Sequence, residues 1–136
     1  MRDLPEGVCP HITVDGAAKA IEFYTKAFGA KEIRRVPAED GRRLMHAEIK
    51  IGPSTMFLND DFPEYCGGKS NTPKALGGSP TVLHQYVADC DKAFQRAIDA
   101  GGKAVMPPAD QFWGDRYAQV ADPFGHVWSL GTPLKK

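Results

Sequence analysis

Residues 9–29 read Cys9-Pro10-His11-Ile12-Thr13-Val14-Asp15-Gly16-Ala17-Ala18-Lys19-Ala20-Ile21-Glu22-Phe23-Tyr24-Thr25-Lys26-Ala27-Phe28-Gly29, and two hydrophobic periods follow one another within them. Over 9–14, His11 and Thr13 interleave with apolar neighbours at the two-residue period of a strand. Over 16–28, Ala17, Ala20, Ile21, Tyr24 and Phe28 recur at spacings of three and four, which sets them along one face of a helix. Gly29 ends that helix.

The same succession returns 73 residues later, where His11 falls over His84, Val14 over Val87, Lys19 over Lys92, Ala20 over Ala93, Ala27 over Ala100 and Gly29 over Gly102. Residues 82–87 alternate as 9–14 do. Residues 89–100 carry Ala93, Phe94, Ala97 and Ile98 as the buried stripe of a second helix, with Asp89 placed to cap its first amides and Gly101-Gly102 to stop it.

Each helix is followed by three strand candidates, at 31–37, 43–51 and 54–58 in the first half and at 103–106, 115–121 and 126–130 in the second. Gly52-Pro53 and Asp122-Pro123-Phe124-Gly125 supply turn residues between the last two strands of each half. The order is βαβββ twice, and independent misreadings would not give one order two times. The chain therefore reads as α+β, one domain over 1–136, with modules at 5–59 and 80–132 and a Gly-, Pro-, Ser- and Asn-rich linker over 60–79.

Composition narrows the function. The chain has 136 residues, 42% hydrophobic and 25% charged, as expected of one globular domain. Seventeen basic and seventeen acidic residues cancel, and no run of Lys or Arg exceeds a pair, so nucleic acid and membrane surfaces are excluded as partners. No apolar run approaches the roughly 20 residues that span a bilayer. Met1 to Cys9 lacks a leader pattern, and a cytoplasmic location is expected. Cys9, Cys66 and Cys90 are odd in number and have no CxxC spacing, so they read as free thiols.

The run Val14 to Ala30, with its Phe23-Tyr24 pair and closing Gly29, resembles the first strand-to-helix segment of the vicinal-oxygen-chelate superfamily, which includes glyoxalase I, bleomycin-resistance proteins and extradiol dioxygenases. Phe112-Trp113-Gly114-Asp115-Arg116-Tyr117, the run Asp122 to Leu130, His46-Ala47-Glu48-Ile49 and Ile51-Gly52-Pro53-Ser54 are similar to its small PhnB-like, glyoxalase/bleomycin-resistance-like branch. The resemblance covers nearly the whole chain. It implies two βαβββ modules forming a curved mixed sheet around a cavity, and a homodimer, in some members with a module exchanged between chains.

In the superfamily's enzymes, four inward side chains hold a divalent metal that chelates two neighbouring substrate oxygens. Matched to this sequence, the four positions fall on Cys9, on Phe57 or Leu58, on Val82 and on Ser129. Phe57, Leu58 and Val82 bear no donor and Ser129 only a neutral hydroxyl, whereas such metals need carboxylate, imidazole or thiolate ligands. No metal and no other cofactor is expected. His11 and His84 lie two residues beyond Cys9 and Val82, so strand alternation sends both imidazoles to the same face as the lost ligand positions, where His46 can join them. They read as polar lining of a cavity. The alternative is a displaced metal site or an acid–base pair.

Phe57, Tyr86, Trp113 and Trp128 are the candidate walls of that cavity, and Cys9, His11, His46, His84 and Arg116 its polar groups, Arg116 being suited to a ligand carboxylate or phosphate. No GxGxxG, P-loop or GxSxG is present, and His126 reads as a hairpin residue. The sequence reading is a metal-free binding protein for a small, planar or aromatic molecule. A glyoxalase-like isomerase or lyase, or a dioxygenase, is the alternative, so whether the chain is an enzyme stays open.

Overall fold

The computed structural model describes residues 4–135, so the ends of the expected 1–136 extent, residues 1–3 and 136, lie outside the described residues. The first half runs β1 (His11–Val14), α1 (Ala17–Phe28), β2 (Lys31–Pro37), β3 (Leu44–Ile51) and β4 (Ser54–Asp60). A short helix α2 (Pro73–Leu76) precedes the second half, which runs β5 (Val82–Tyr86), α3 (Cys90–Asp99), β6 (Lys103–Asp110), β7 (Asp115–Ala121) and β8 (Val127–Pro133).

The βαβββ order thus occurs twice. Each half forms its own four-stranded mixed sheet, ordered β1-β4-β3-β2 and β5-β8-β7-β6, and no strand of one is paired with a strand of the other. The expected curved mixed sheet is therefore realised as two sheets. In each, the first strand lies parallel to the last, His11 opposite Phe57 and His84 opposite Ser129, while the remaining pairs are antiparallel. A parallel partner requires a crossover, and the helix of each module provides it.

The two helices begin differently. Asp89 caps α3 through its own side chain, which accepts from the Lys92 amide. Gly16 precedes α1 and has no side chain to offer, so Asp60 at the end of β4 takes over the task. Its Oδ1 accepts from the Gly16 and Ala17 amides and its Oδ2 from the Leu44 amide of β3. One buried carboxylate thereby ties strand, helix and strand together.

Strand β6 runs to Asp110, beyond the expected end at 106, although Pro107 and Pro108 interrupt it. It is an edge strand with register shifts around Met106 and Ala109, where missing ladder amides are tolerated. The stretch read as a plain linker carries α2 and a 3-10 turn at Pro63–Tyr65. Arg43 holds this turn, with Nη1 and Nη2 on the Glu64 carboxylate and its guanidinium 4.2 Å from the Phe62 ring centre.

Both helices pack on one face of their own sheet and against each other. Ala17, Ala20, Ile21, Tyr24 and Ala27 of α1 share one apolar core with Ala97 of α3, Val120 of β7 and Trp128 of β8. Within it the Phe28 and Trp128 ring centres are 4.4 Å apart and those of Tyr24 and Trp128 5.2 Å. Since the helices cover one face of each sheet, the opposite faces are left open.

Candidate functional site

On the open face of the first sheet, pairing brings together side chains far apart in sequence. His11 of β1 faces Phe57 of β4, Phe57 pairs with Glu48 of β3, and Glu48 pairs with Arg34 of β2. The His46 ring centre stands 4.8 Å from that of Phe57 and 6.1 Å from that of His11, both edge-on. His46 Nε2 is 2.9 Å from Glu48 Oε2, and the same oxygen lies 3.3 Å from Arg34 Nε. Glu48 is only 5% exposed.

These contacts orient the imidazoles. A carboxylate only accepts, so His46 Nε2 donates to Glu48, and in a neutral ring Nδ1 then carries the lone pair. The Asn59 amide nitrogen donates to the Asp60 carbonyl, which turns Oδ1 toward His11 Nε2 at 2.6 Å, so there too Nε2 is the donor. Cys9 donates its thiol proton to the Thr55 carbonyl at 3.1 Å, and burial holds the thiol above its ordinary pKa, in its neutral form.

The sequence reading missed Glu48 and Arg34. Two positions of one strand, His46 and Glu48, share a face by the period of two, and that was the available signal. Arg34 had none, because its place opposite Glu48 follows a register shift between Glu32 and Arg34.

The open face of the second sheet is aromatic. His84 Nδ1 and Ser129 Oγ, on neighbouring strands, are 2.7 Å apart. The His84 ring meets Tyr86 edge-on at 4.7 Å and stacks on Tyr117 at 6.0 Å. Trp113 meets Tyr117 edge-on at 5.4 Å. The Tyr86 hydroxyl and the Trp113 indole N–H both donate to Asp115 Oδ2, each at 3.2 Å.

Two of the expected cavity residues turn the other way. Trp128 lies in the core, 2% exposed, donating to buried Asp122 at 3.0 Å, and is not a cavity wall. Arg116 clasps Asp91 of α3 through Nε and Nη2 and Asp110 of β6 through Nη1, so its guanidinium holds β7 to α3 and β6 on the helix-bearing side, away from the open face. Both follow from alternation. Trp128 is one residue from Ser129 and Arg116 one from Tyr117, which puts them on the helix-bearing face.

The metal chelate of related enzymes does not fit this donor set. The Cys9 thiol is neutral and engaged, Phe57 and Val82 offer no ligand atom, and the Ser129 hydroxyl is buried against His84. Among the described residues no group of three or more His, Cys, Asp and Glu side chains is placed to hold a metal ion. Two concavities lie elsewhere. One, of about 510 Å³, runs between the end of α1 and α3 past Lys26, Lys92 and Arg96. The other, of about 610 Å³, lies between α2 and the turn at Pro123 and Phe124. Neither contains the imidazoles, and the open faces are where the convergent polar and aromatic groups sit.

Residues 8–130 match the model of the Glyoxalase/Bleomycin resistance protein/Dioxygenase superfamily. The chain belongs to this superfamily. An uncharacterised protein of Mycobacterium bovis is 56% identical over 127 residues, which cover 93% of this chain and 83% of that protein. Among solved structures, TioX from Micromonospora sp. ML1 is similar with a TM-score of 0.68 at 23% identity, over 96% of this chain and 98% of that one. A PhnB protein from Bacillus cereus, described as a putative 3-demethylubiquinone-9 3-methyltransferase, gives 0.70 at 16% identity, over 93% and 99% of the two chains. At these identities the structures share the fold of the glyoxalase superfamily with this chain. What this member of the superfamily binds rests on its own residues.

Proposed function

We propose that this chain is a metal-independent small-molecule binding protein of the bleomycin-resistance kind, acting as a homodimer in the cytoplasm. The observation that carries the proposal is the pair of open faces: both are lined with rings and imidazoles, yet of the four chelate positions only Cys9 bears a ligating atom suited to such metals. The dimer is supported by exposed apolar side chains on or beside those faces, Val36, Val82, Tyr86 and Trp113. The edge strands β2 and β6 carry register shifts that discourage edge pairing. Each site then lies between the first sheet of one protomer and the second sheet of its partner. Three free thiols suit a reducing compartment.

The test is titration of tryptophan fluorescence with acridine, a planar heteroaromatic probe, on protein prepared in chelator and again after zinc, manganese or nickel is restored, with molar mass measured by light scattering. Binding by a dimer, unchanged by metal, is expected. A strict requirement for metal, or a monomer that binds equally well, rejects the proposal.

The His46–Glu48 pair favours a second reading, an enzyme of the glyoxalase-like kind that moves a proton through an imidazole. An acidic partner fixes the tautomer and leaves Nδ1 free to accept. On this reading, near-stoichiometric metal in the native protein, lost in a His11→Ala/His84→Ala double variant, or turnover of a hemithioacetal lost in His46→Ala, is the expected result.

A further inference from the structure

The second sheet's open face carries three rings, and two of them direct their polar edges at one carboxylate. Tyr86 on β5 and Tyr117 on β7 are each paired with Gly131 of β8, so the two rings stand on either side of a position that bears no side chain. A Cβ at Gly131 would lie 3.0 Å from His84 Cε1 and 3.5 Å from Tyr86 Cε1, so the glycine is what allows the rings to lean together. Trp113, in the turn before β7, closes the third side against Tyr117. His84, between Tyr86 and Tyr117 and held by Ser129, forms the floor.

Asp115 gives this cluster its charge. Its Oδ2 accepts from the Tyr86 hydroxyl and the Trp113 indole together, so both rings are fixed by their polar edges while much of each ring is left uncovered within the single chain, with Tyr86 66% and Trp113 50% exposed. The nearby carboxylate also raises the Tyr86 phenol above its ordinary pKa, which keeps it a donor. A ring that donates a hydrogen bond to a carboxylate is richer in electrons on its faces, the faces that attract cations. Among the described residues no cation lies within ion-pair distance of Asp115. The neighbours of Tyr117 on the same face are Ala109 and Gly131, followed by Met106 and Gln119, and Arg116 is turned away onto Asp91 and Asp110.

Resting on the binding reading above, we infer that this face is an aromatic cage for an organic cation, with Tyr86, Trp113 and Tyr117 as its walls and Asp115 as its counter-charge. A planar or quaternary ammonium ligand meets the electron-rich rings of Tyr86 and Trp113, with Tyr117 beside them and a carboxylate behind. An anionic ligand of the same shape meets repulsion from Asp115, and a neutral one gains the ring contacts alone.

The experiment compares three probes of one shape on the full-length protein: N-methylacridinium, acridine and acridine-9-carboxylate. It is run at pH 8, above the usual imidazole range. Affinity is read by calorimetry and by quenching of tryptophan fluorescence. N-methylacridinium is expected to bind about ten-fold more tightly than acridine, with the carboxylate weakest, a spread on the order of one cation–π contact. Asp115→Asn is expected to bring the cation and the neutral probe within about three-fold of each other. Trp113→Leu, at a half-exposed position in the turn before β7, is expected to weaken both. Equal binding of the cation and acridine by the unaltered protein overturns the cage and leaves the binding reading standing. Failure of all three probes to bind rejects both. A cation preference that persists undiminished in Asp115→Asn overturns the role given to that carboxylate.

Discussion

The Tyr24 hydroxyl of α1 donates to Asp122 Oδ2 at 2.6 Å, joining the helix of the first module to the last hairpin of the second. Asp122 is buried and also accepts from the Trp128 indole and from the Phe124 and His126 amides, so one carboxylate satisfies four donors. The same bond, together with burial, holds the Tyr24 phenol well above its ordinary pKa of 10.0, burial being the larger cause. A phenol whose pKa rises on folding contributes stability that is complete below the unfolded value and is lost as pH climbs from there toward the folded value. Urea unfolding of the native protein is therefore expected to weaken progressively above about pH 10. Tyr24→Phe should lose about 1–2 kcal/mol near neutrality and show a flatter alkaline limb. Parallel pH profiles for the two proteins would contradict this account.

Asp60 does for the first module what no residue of α1 can do for itself, since Gly16 has no capping side chain. Asp60→Ala strands three backbone amides, and a loss of about 3 kcal/mol or more is expected in urea unfolding. Asp60→Asn keeps one acceptor oxygen but turns an N–H₂ toward a donor. It should fall between the two, and an Asn variant as stable as the native protein would show that the amides find other partners.

Gly102 is demanded by space and not by backbone angle. A Cβ there would approach Val120 Cγ1 to 2.6 Å and the Ala97 carbonyl oxygen to 2.9 Å. Gly102→Ala is expected to lose about 1–3 kcal/mol through displacement of the α3 end from β7. Gly41, with φ of 71° and nothing near its would-be Cβ, is the contrasting case, and Gly41→Ala should cost only about 1 kcal/mol. Equal losses at the two sites would mean that the close approach is relieved by a small shift of the strand.

The three thiols should separate in reactivity. Cys66 is exposed, whereas burial raises the thiols of Cys9 and Cys90, and Cys90 is held further up by Asp91. Since the thiolate is the reacting form, brief alkylation at pH 8 is expected to label Cys66 at least about ten-fold faster than the other two, read by peptide mass spectrometry. Rapid labelling of Cys9 would contradict its hydrogen bond to the Thr55 carbonyl.

The sequence alone determined the order of elements and most of their limits. Strands 31–37 and 115–121 begin and end where alternation places them, and Asp89 caps α3 as its position before the apolar stripe suggests. These features are local: a period of two or of three to four, and a turn or cap residue beside it, are properties of neighbours in the chain. It also placed His11, His84 and Phe57 as side chains that avoid the helix-bearing face, because equivalent positions of two repeats obey one alternation.

Tertiary structure decided the rest. Trp128 and Arg116 went to the face opposite their expected one, because a step of one residue along a strand reverses the direction of a side chain. The inward place matched to Ser129 already implied this for Trp128, whereas Arg116 had no such neighbour. The meeting of Glu48 with Arg34, of Asp60 with Gly16 and of Asp115 with Tyr86 depends on strand order and register across dozens of residues, which no local period encodes. Above all, the helices packed against each other and left both ring-lined faces turned to solvent. Which side of a sheet a helix covers is settled by burial summed over the whole core, not by any single stretch of chain.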